Sequence, residues 1–395
     1  MTDNQESAAG AREDDEVAQI DPEALHTALR EERARIGRFN LAIVGGTGVG
    51  KSSLVNAVFG EGLAPTGVGL PVTRGVQYYT NADASLGIWD FEGFEIGKVP
   101  GDLVRENLQV IEDGPREKHI SAVWYCVTSS ADRLTQPDID QITAFAAGGL
   151  PVIVVLTKTI RARDFPGGKW KPSAQVEAFA EWIASPFDHQ GEAIELPIAG
   201  IALTAAVDQG KHGGPAHGLG ELLDMTLALA PDEAQEALVV AQRLSLPLKR
   251  ALARKAIVAA GTASAAAAAT PIPVADAVAL APIQLGMMGR IAAVYQLDLK
   301  VMMSAQAIAQ LAVQVVGRAL ARSLIKLIPA VGTVINATVA SALTTATGEG
   351  WLRLCEAVYS GKVALDQVEK VWKDFAPTAV EVINAVLKAR VKGGK

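Results

Sequence analysis

Hydrophobic positions along this chain change their pattern once, near residue 230. Before that point, short apolar runs at 39–44, 76–80, 85–89, 120–127, 151–156 and 196–203 read as strands. Between them, residues 51–59, 101–112, 136–147, 174–185 and 218–228 place apolar side chains at helical spacing. Strand–helix alternation of this kind predicts a mostly parallel, doubly wound sheet. Gly- and Pro-bearing loops fall at 60–70 and 162–171. Ahead of the sheet, Asp21-Pro22-Glu23 opens a helix that runs to about Ile36, with Leu25, Leu29 and Ile36 on one side.

Beyond Pro231 the alternation stops and helical patterns take over. Residues 231–256 read as helix with a kink expected at Pro247. An Ala-rich segment, 256–269, leads to Thr270 and Pro271-Ile272-Pro273, which mark a hairpin tip or a kink before a second apolar segment that ends at Arg290. A helix is expected at 303–328, an apolar stretch at 327–348 and an amphipathic helix at 362–391. The expected architecture is thus an acidic, disordered tail at 1–20, an α/β domain with its leading helix at 21–230, and an all-α domain at 231–395.

Charge follows the same division. From Pro231 onward 18 Lys and Arg stand against 11 Asp and Glu, a net of +7; the whole chain carries −7, so residues 1–230 carry −14. A basic, apolar back half fits either an anionic or hydrophobic partner or a helical bundle with an ordinary surface, and both readings stay open here. Two uncharged stretches, 20 residues between Lys255 and Asp276 and 22 between Lys326 and Glu349, are long enough to cross a bilayer. Their Ala, Pro, Thr and Asn content favours a hairpin buried in protein over one inserted in lipid. Cys126 and Cys355 fit no metal or disulfide spacing, and the five His show no ligand spacing. The polar, acidic start lacks the pattern of a signal peptide, so a cytoplasmic location is expected, with peripheral or hairpin attachment at the inner membrane as the open alternative. The basic residues of the tail, Lys388, Arg390, Lys392 and Lys395, stand apart from aromatic clusters, and no nucleic-acid partner is expected.

The most specific chemistry lies where the first strand breaks into glycines. Gly45, Gly46, Thr47, Gly48, Val49, Gly50, Lys51, Ser52 and Ser53 contain G-x-x-x-x-G-K-S between an apolar strand and a helix. Glycines let the backbone approach a pyrophosphate, and the helix N-terminus turns its N–H groups toward the anion. Lys51 can reach the β- and γ-phosphates, and the Ser52 hydroxyl suits Mg²⁺. A nucleoside triphosphate with Mg²⁺ is the expected ligand. Further elements follow in order: Thr73 in Pro71-Val72-Thr73-Arg74-Gly75, then Asp90 and Gly93 as D-x-x-G after an apolar strand. Thr157-Lys158 and Thr204-Ala205 each end later strands.

In that order these residues resemble the Era/septin-type class of switch GTPases, across about residues 39–230, and the loop sequence is similar to interferon-inducible and related bacterial GTPases. Thr270-Pro-Ile-Pro-Val-Ala-Asp276, Gln284-Leu-Gly-Met-Met-Gly-Arg290 and Ile328-Pro-Ala-Val-Gly-Thr333 resemble the YcjF-like helical domain of unknown function. The first resemblance implies GTP and GDP as ligands, Mg²⁺ held by Ser52, Thr73 and Asp90, Gly93 sensing the γ-phosphate, and Thr157, Lys158, Thr204 and Ala205 around the base. Lys51, Thr73 and Gly93 are then the catalytic set. It also implies pairing of two GTPase domains across the nucleotide.

Three positions depart from the class. Ile160 stands where an Asp should accept hydrogen bonds from guanine, with Asp164 four residues on as a substitute candidate. Phe94 stands where Ras-like enzymes carry a water-positioning Gln, which predicts slow hydrolysis unless a group arrives in trans. Gly48 replaces the Asn of potassium-activated members, so no potassium stimulation is expected. Arg74 and Arg133 are candidates for the missing charge. The expected function is a slow, Mg²⁺-dependent GTPase switch whose helical domain meets a membrane surface or a protein partner. A dynamin- or interferon-inducible-like membrane-remodelling GTPase and a non-hydrolysing nucleotide sensor are the alternatives.

Overall fold

The computed structural model describes residues 22–60, 71–73, 76–91, 101–163, 168–210, 213–269, 276–297 and 332–362. The expected tail, the helices at 303–328 and 362–391, and Arg74, Gly93, Phe94 and Asp164 lie outside the described residues. Contacts divide the chain into two units, Ile36–Leu248 and a second one formed by Met1–Arg35 with Lys249–Lys395.

The first unit is a seven-stranded sheet. Its strands are β1 (Phe39–Val44), β2 (Pro71–Thr73), β3 (Val76–Thr80), β4 (Leu86–Phe91), β5 (Ala122–Thr128), β6 (Val152–Thr157) and, after a two-stranded hairpin of β7 (Arg161–Ala162) and β8 (Lys171–Pro172), β9 (Gly200–Leu203). The order is β2-β3-β4-β1-β5-β6-β9, antiparallel from β2 to β4 and parallel from β4 to β9. Every residue of β1, β4 and β6 is buried, as strands covered on both faces should be. The helices α2 (Lys51–Phe59), α3 (Gly101–Glu112), α4 (Gln136–Ala147), α5 (Ala174–Ala184), α6 (Leu219–Leu229) and α7 (Asp232–Ala241) belong to this unit. The Trp124 indole donates to Thr226 Oγ1 at 3.0 Å, fixing α6 to the sheet.

The division was expected at 230, but α7 stays with the sheet unit. It buries Ala234, Ala237, Leu238, Val239, Val240 and Ala241, packing on β1, β4 and α6. Helix 231–256 is also not one kinked helix. Ser245 N–H donates to Gln242 Oε1 at 2.7 Å in a short break, and a new helix, α8 (Leu246–Ala268), begins with Pro247 in its first turn, where no amide hydrogen is needed.

The second unit contains α1 (Pro22–Ile36) up to Arg35, α8, α9 (Asp276–Val294) and α10 (Gly332–Tyr359). The leading helix therefore belongs here and not to the α/β domain. Arg33 donates to Leu297 O at 3.0 Å, and Arg290 pairs with Glu32 at 3.4 Å. Small side chains bring the long helices together: Ser264 and Thr344 hydroxyls meet at 2.9 Å, and Gln284 donates to Thr344 at 3.3 Å. Helix α10 runs past the limit of the expected apolar stretch at Gly348, and just beyond it Glu349 pairs with Arg254 at 3.0 Å. Among the described residues no helix is long and apolar enough to cross a membrane.

Candidate nucleotide site

The carboxyl ends of β1, β4, β5 and β6 converge, the place where open parallel sheets present loops to ligands. The loop after β1 leaves the strand at Gly45, which is buried and has φ +137°. A Cβ there would lie 2.3 Å from the Cys126 carbonyl oxygen, so only glycine fits between β1 and β5. Gly50, at φ 106°, caps α2, and Lys51 begins the helix. Thr47, Gly48, Ser52 and Ser53 are exposed at the mouth, and Gly46 and Val49 are half-buried. Lys51 Nζ reaches back over the loop to Gly45 O at 2.7 Å and Gly46 O at 3.4 Å.

Thr157 and Lys158 clamp this loop from β6. Thr157 Oγ1 donates to Val49 O at 2.5 Å and lies 3.2 Å from Val127 O. Lys158 Nζ donates to Gly48 O at 2.6 Å. Lys158 takes φ 53°, an uncommon conformation for a side chain of its size and a form of strain that collects at functional sites. The loop is thus held at Gly48 and Val49 by side chains from a different strand.

Asp90 is the last but one residue of β4, beside β1 and in register with Ile43. It is buried, and Tyr79 from β3 donates to its Oδ2 at 2.7 Å. Cys126 feels Lys51 and Asp90 together: burial pushes its thiol up to about 12, the Lys51 charge opposes this, and Asp90 adds to it. Lys51 starts α2 beyond the end of β1, and Asp90 sits beside Ile43 of β1. The Ser52 hydroxyl and the Asp90 carboxylate are hard oxygen donors, a set that fits Mg²⁺. Thr73 closes β2, with its backbone in register with Val76. Gly93 lies outside the described residues, as do Arg74, Phe94 and Asp164. Arg133 stands exposed in the turn after β5.

A small cleft of about 50 Å³, partly open to solvent, continues from the loop toward β9. It is lined by Gly50, Ser53, Leu54, Thr157, Lys158, Thr204, Ala206, Val207 and Gln209. Thr204 is fully buried at its floor, with N–H and Oγ1 both directed at Leu156 O. Ala205 is not among the lining residues. It is fully buried, and its N–H donates to His217 O at 3.0 Å in an isolated bridge. Ile160 is 49% exposed and its carbonyl accepts from Ser173 N–H at 3.1 Å. Ala206, Val207 and Gln209 escaped the sequence reading because they follow the last strand without a fixed spacing. Their position just past Thr204 was the signal available.

This arrangement defines a P-loop GTPase fold. Residues 40–158 match the model of the family described as 50S ribosome-binding GTPase. No curated protein matches the chain. Among solved structures it is similar to Toc33 from Arabidopsis thaliana in complex with GDP and Mg²⁺, at 16% identity over 54% of this chain and 91% of that one, with a TM-score of 0.28. It is also similar to a GDP-bound variant of S. thermophilus NFeoB, at 12% identity over 89% of this chain and 98% of that one, TM-score 0.27. For the cytosolic domain of the T. maritima FeoB iron transporter in its GDP form, the figures are 14%, 80%, 97% and 0.25.

Proposed function

We propose that this protein is a guanine-nucleotide switch that hydrolyses GTP slowly. The observation that carries the reading is the phosphate loop, shaped by Gly45 and clamped by Thr157 and Lys158 beside a small cleft that opens to solvent. The exposed loop and the start of α2 receive the phosphates through backbone N–H groups. Lys51 exchanges its loop carbonyls for the β–γ bridge and offsets the charge that develops there. Ser52, Asp90 and Thr73 would hold Mg²⁺, which supplies a charge clamp across the β- and γ-phosphates. Phe94 in place of a water-positioning Gln supports slow turnover. The test is binding of labelled GDP and GTP with ATP in competition, on the wild type and on Lys51→Ala, together with phosphate release. Mg²⁺-dependent guanine binding that Lys51→Ala abolishes is the expected result; equal or better ATP binding would reduce the protein to a generic phosphate-loop nucleotidase.

The helical unit reads out the nucleotide state to an anionic partner or surface. What supports this is a groove between α8 and α10 where Arg250, Arg254, Arg353 and Lys362 stand with only Glu349 and Glu356. Both carboxylates are engaged, Glu356 by Arg250 at 2.9 Å and Glu349 by Arg254 at 3.0 Å.

A further inference from the structure

A GTPase of this fold ordinarily tells guanine from other bases through a carboxylate two residues after the lysine clamped on its loop, and here that position is Ile160, half exposed and without a polar side-chain atom. Among the described residues, the base edge falls to another side chain of the cleft. The polar side chains of the cleft can be taken in turn. Thr157 spends its hydroxyl on Val49 O and lies against Val127 O. Lys158 is a donor only, and its ammonium holds Gly48 O. Thr204 is buried with its hydroxyl on Leu156 O. Ser53 lies on the first turn of α2, at the phosphate end.

Gln209 differs from all of these. It is half-buried in the cleft wall, and its carboxamide carries both a donor and an acceptor. Its Nε2 donates to Val207 O at 3.2 Å, a contact a ligand can replace at little cost. Its backbone is fixed more firmly: the N–H donates to Gly214 O at 2.9 Å, and the turn is so tight that a Cβ on Gly213 would come 2.4 Å from Gln209 Cβ. The side chain thus projects from a pinned turn.

Resting on the nucleotide reading above, we infer that Gln209 is the residue that reads the purine base. Its Oε1 accepts from guanine N1–H while its Nε2 donates to O6. This pairing differs from that of a carboxylate, which accepts from N1–H and from the N2 amine together. Gln209 leaves N2 unread. Inosine, which lacks that amine but keeps O6 and N1–H, presents Gln209 with the same edge as guanine.

The experiment is equilibrium binding of GTP, ITP and inorganic tripolyphosphate to the full chain and to Gln209→Ala, Gln209→Glu and Asp208→Asn. The wild type is expected to bind GTP and ITP within about threefold of each other. Gln209→Ala should lose about tenfold for both while holding tripolyphosphate as before. Gln209→Glu, now a carboxylate, should gain a preference for GTP over ITP of about tenfold, an outcome that a merely structural Gln209 would not give. Asp208, whose Oδ1 accepts from Gly210 N–H at 2.6 Å, is the neighbour used as control, and its variant should bind as the wild type does. Wild-type preference for GTP over ITP by tenfold or more, or unchanged binding in Gln209→Ala, overturns the assignment and leaves the switch reading in place. A loss in Asp208→Asn with none in Gln209→Ala moves the role to Asp208. If the wild type binds none of the three, the nucleotide reading itself is wrong. Should Gln209→Ala also lose tripolyphosphate, the Gln209→Glu preference decides.

Discussion

A methyl group on Gly45 would place its carbon 2.3 Å from the Cys126 carbonyl oxygen, on a backbone already at φ +137°. Gly45→Ala is expected to destabilise the sheet unit by about 2–4 kcal/mol, as overpacking and backbone strain add; the shift of the chemical denaturation midpoint measures it. Thr157→Val keeps the side-chain shape and removes the hydroxyl between Val49 O and Val127 O. A loss of about 1 kcal/mol of loop anchoring should speed release of labelled GDP roughly fivefold in stopped-flow traces. Two buried groups set opposite pH limbs. Burial lowers the pKa of His217 below the usual 6.5, with Arg161 acting the same way and the Pro215 carbonyl and Glu221 opposing. The unfolded chain then binds the proton more readily than the folded one, so stability falls as pH drops through about 6.5. Burial raises Cys126 from 9.0 to about 12, so its folded form holds the proton longer and stability falls as pH rises from about 9 toward 12. Urea midpoints between about pH 5 and 11 should trace a plateau with both limbs, and His217→Gln should flatten the acid one; an acid limb left intact in that variant would assign it elsewhere.

Elements that the apolar pattern foretold are those whose burial is uniform. β1 is apolar except for Asn40, and forms as read. β4 continues past the expected end at 89 because Asp90, a carboxylate inside a strand, is compensated by Tyr79. No apolar run can reveal that. β9 starts at Gly200, not at 196, since Pro197 has no amide to give a ladder. The two-residue strands of β7 and β8 are too short to carry a period. Of the candidate site, the phosphate loop was legible as a motif and Thr157-Lys158 as a strand-end pair, but not that this pair holds Val49 O and Gly48 O, a contact across more than 100 residues. The bridge of Ala205 to His217 was not legible, because it depends on a residue twelve positions away. The limit of the sheet unit was hidden for a related reason: α7 looks like the start of a helical region, yet buries Leu238, Val239 and Val240 on the sheet unit. Each such side chain contributes about 1.5–3 kcal/mol. A fragment of residues 36–230 should therefore melt well below one of residues 36–248, or fail to give a cooperative transition; equal melting temperatures would show that α7 adds nothing.

At the scale of the molecule, one unit is inserted into the sequence of the other. Removal of residues 1–35 should leave the sheet unit and its nucleotide binding intact while lowering the helical unit's own transition in a calorimetric scan; a weakened sheet transition instead would argue that α1 belongs to both. The insertion also dictates an order of events at the ribosome. Helix α1 precedes the sheet unit, with Leu25 and Leu29 meant for burial, but the sequence of α9, whose Arg290 pairs with Glu32, follows only after the roughly 210 residues of Ile36–Leu248. At bacterial-to-eukaryotic synthesis speeds that gap lasts about 10–40 s. For this interval the Leu25–Leu29 face of an otherwise charged helix waits for the partners it has in the second unit, while the sheet unit can already close. The half that carries the phosphate loop is thus complete before the helical half exists.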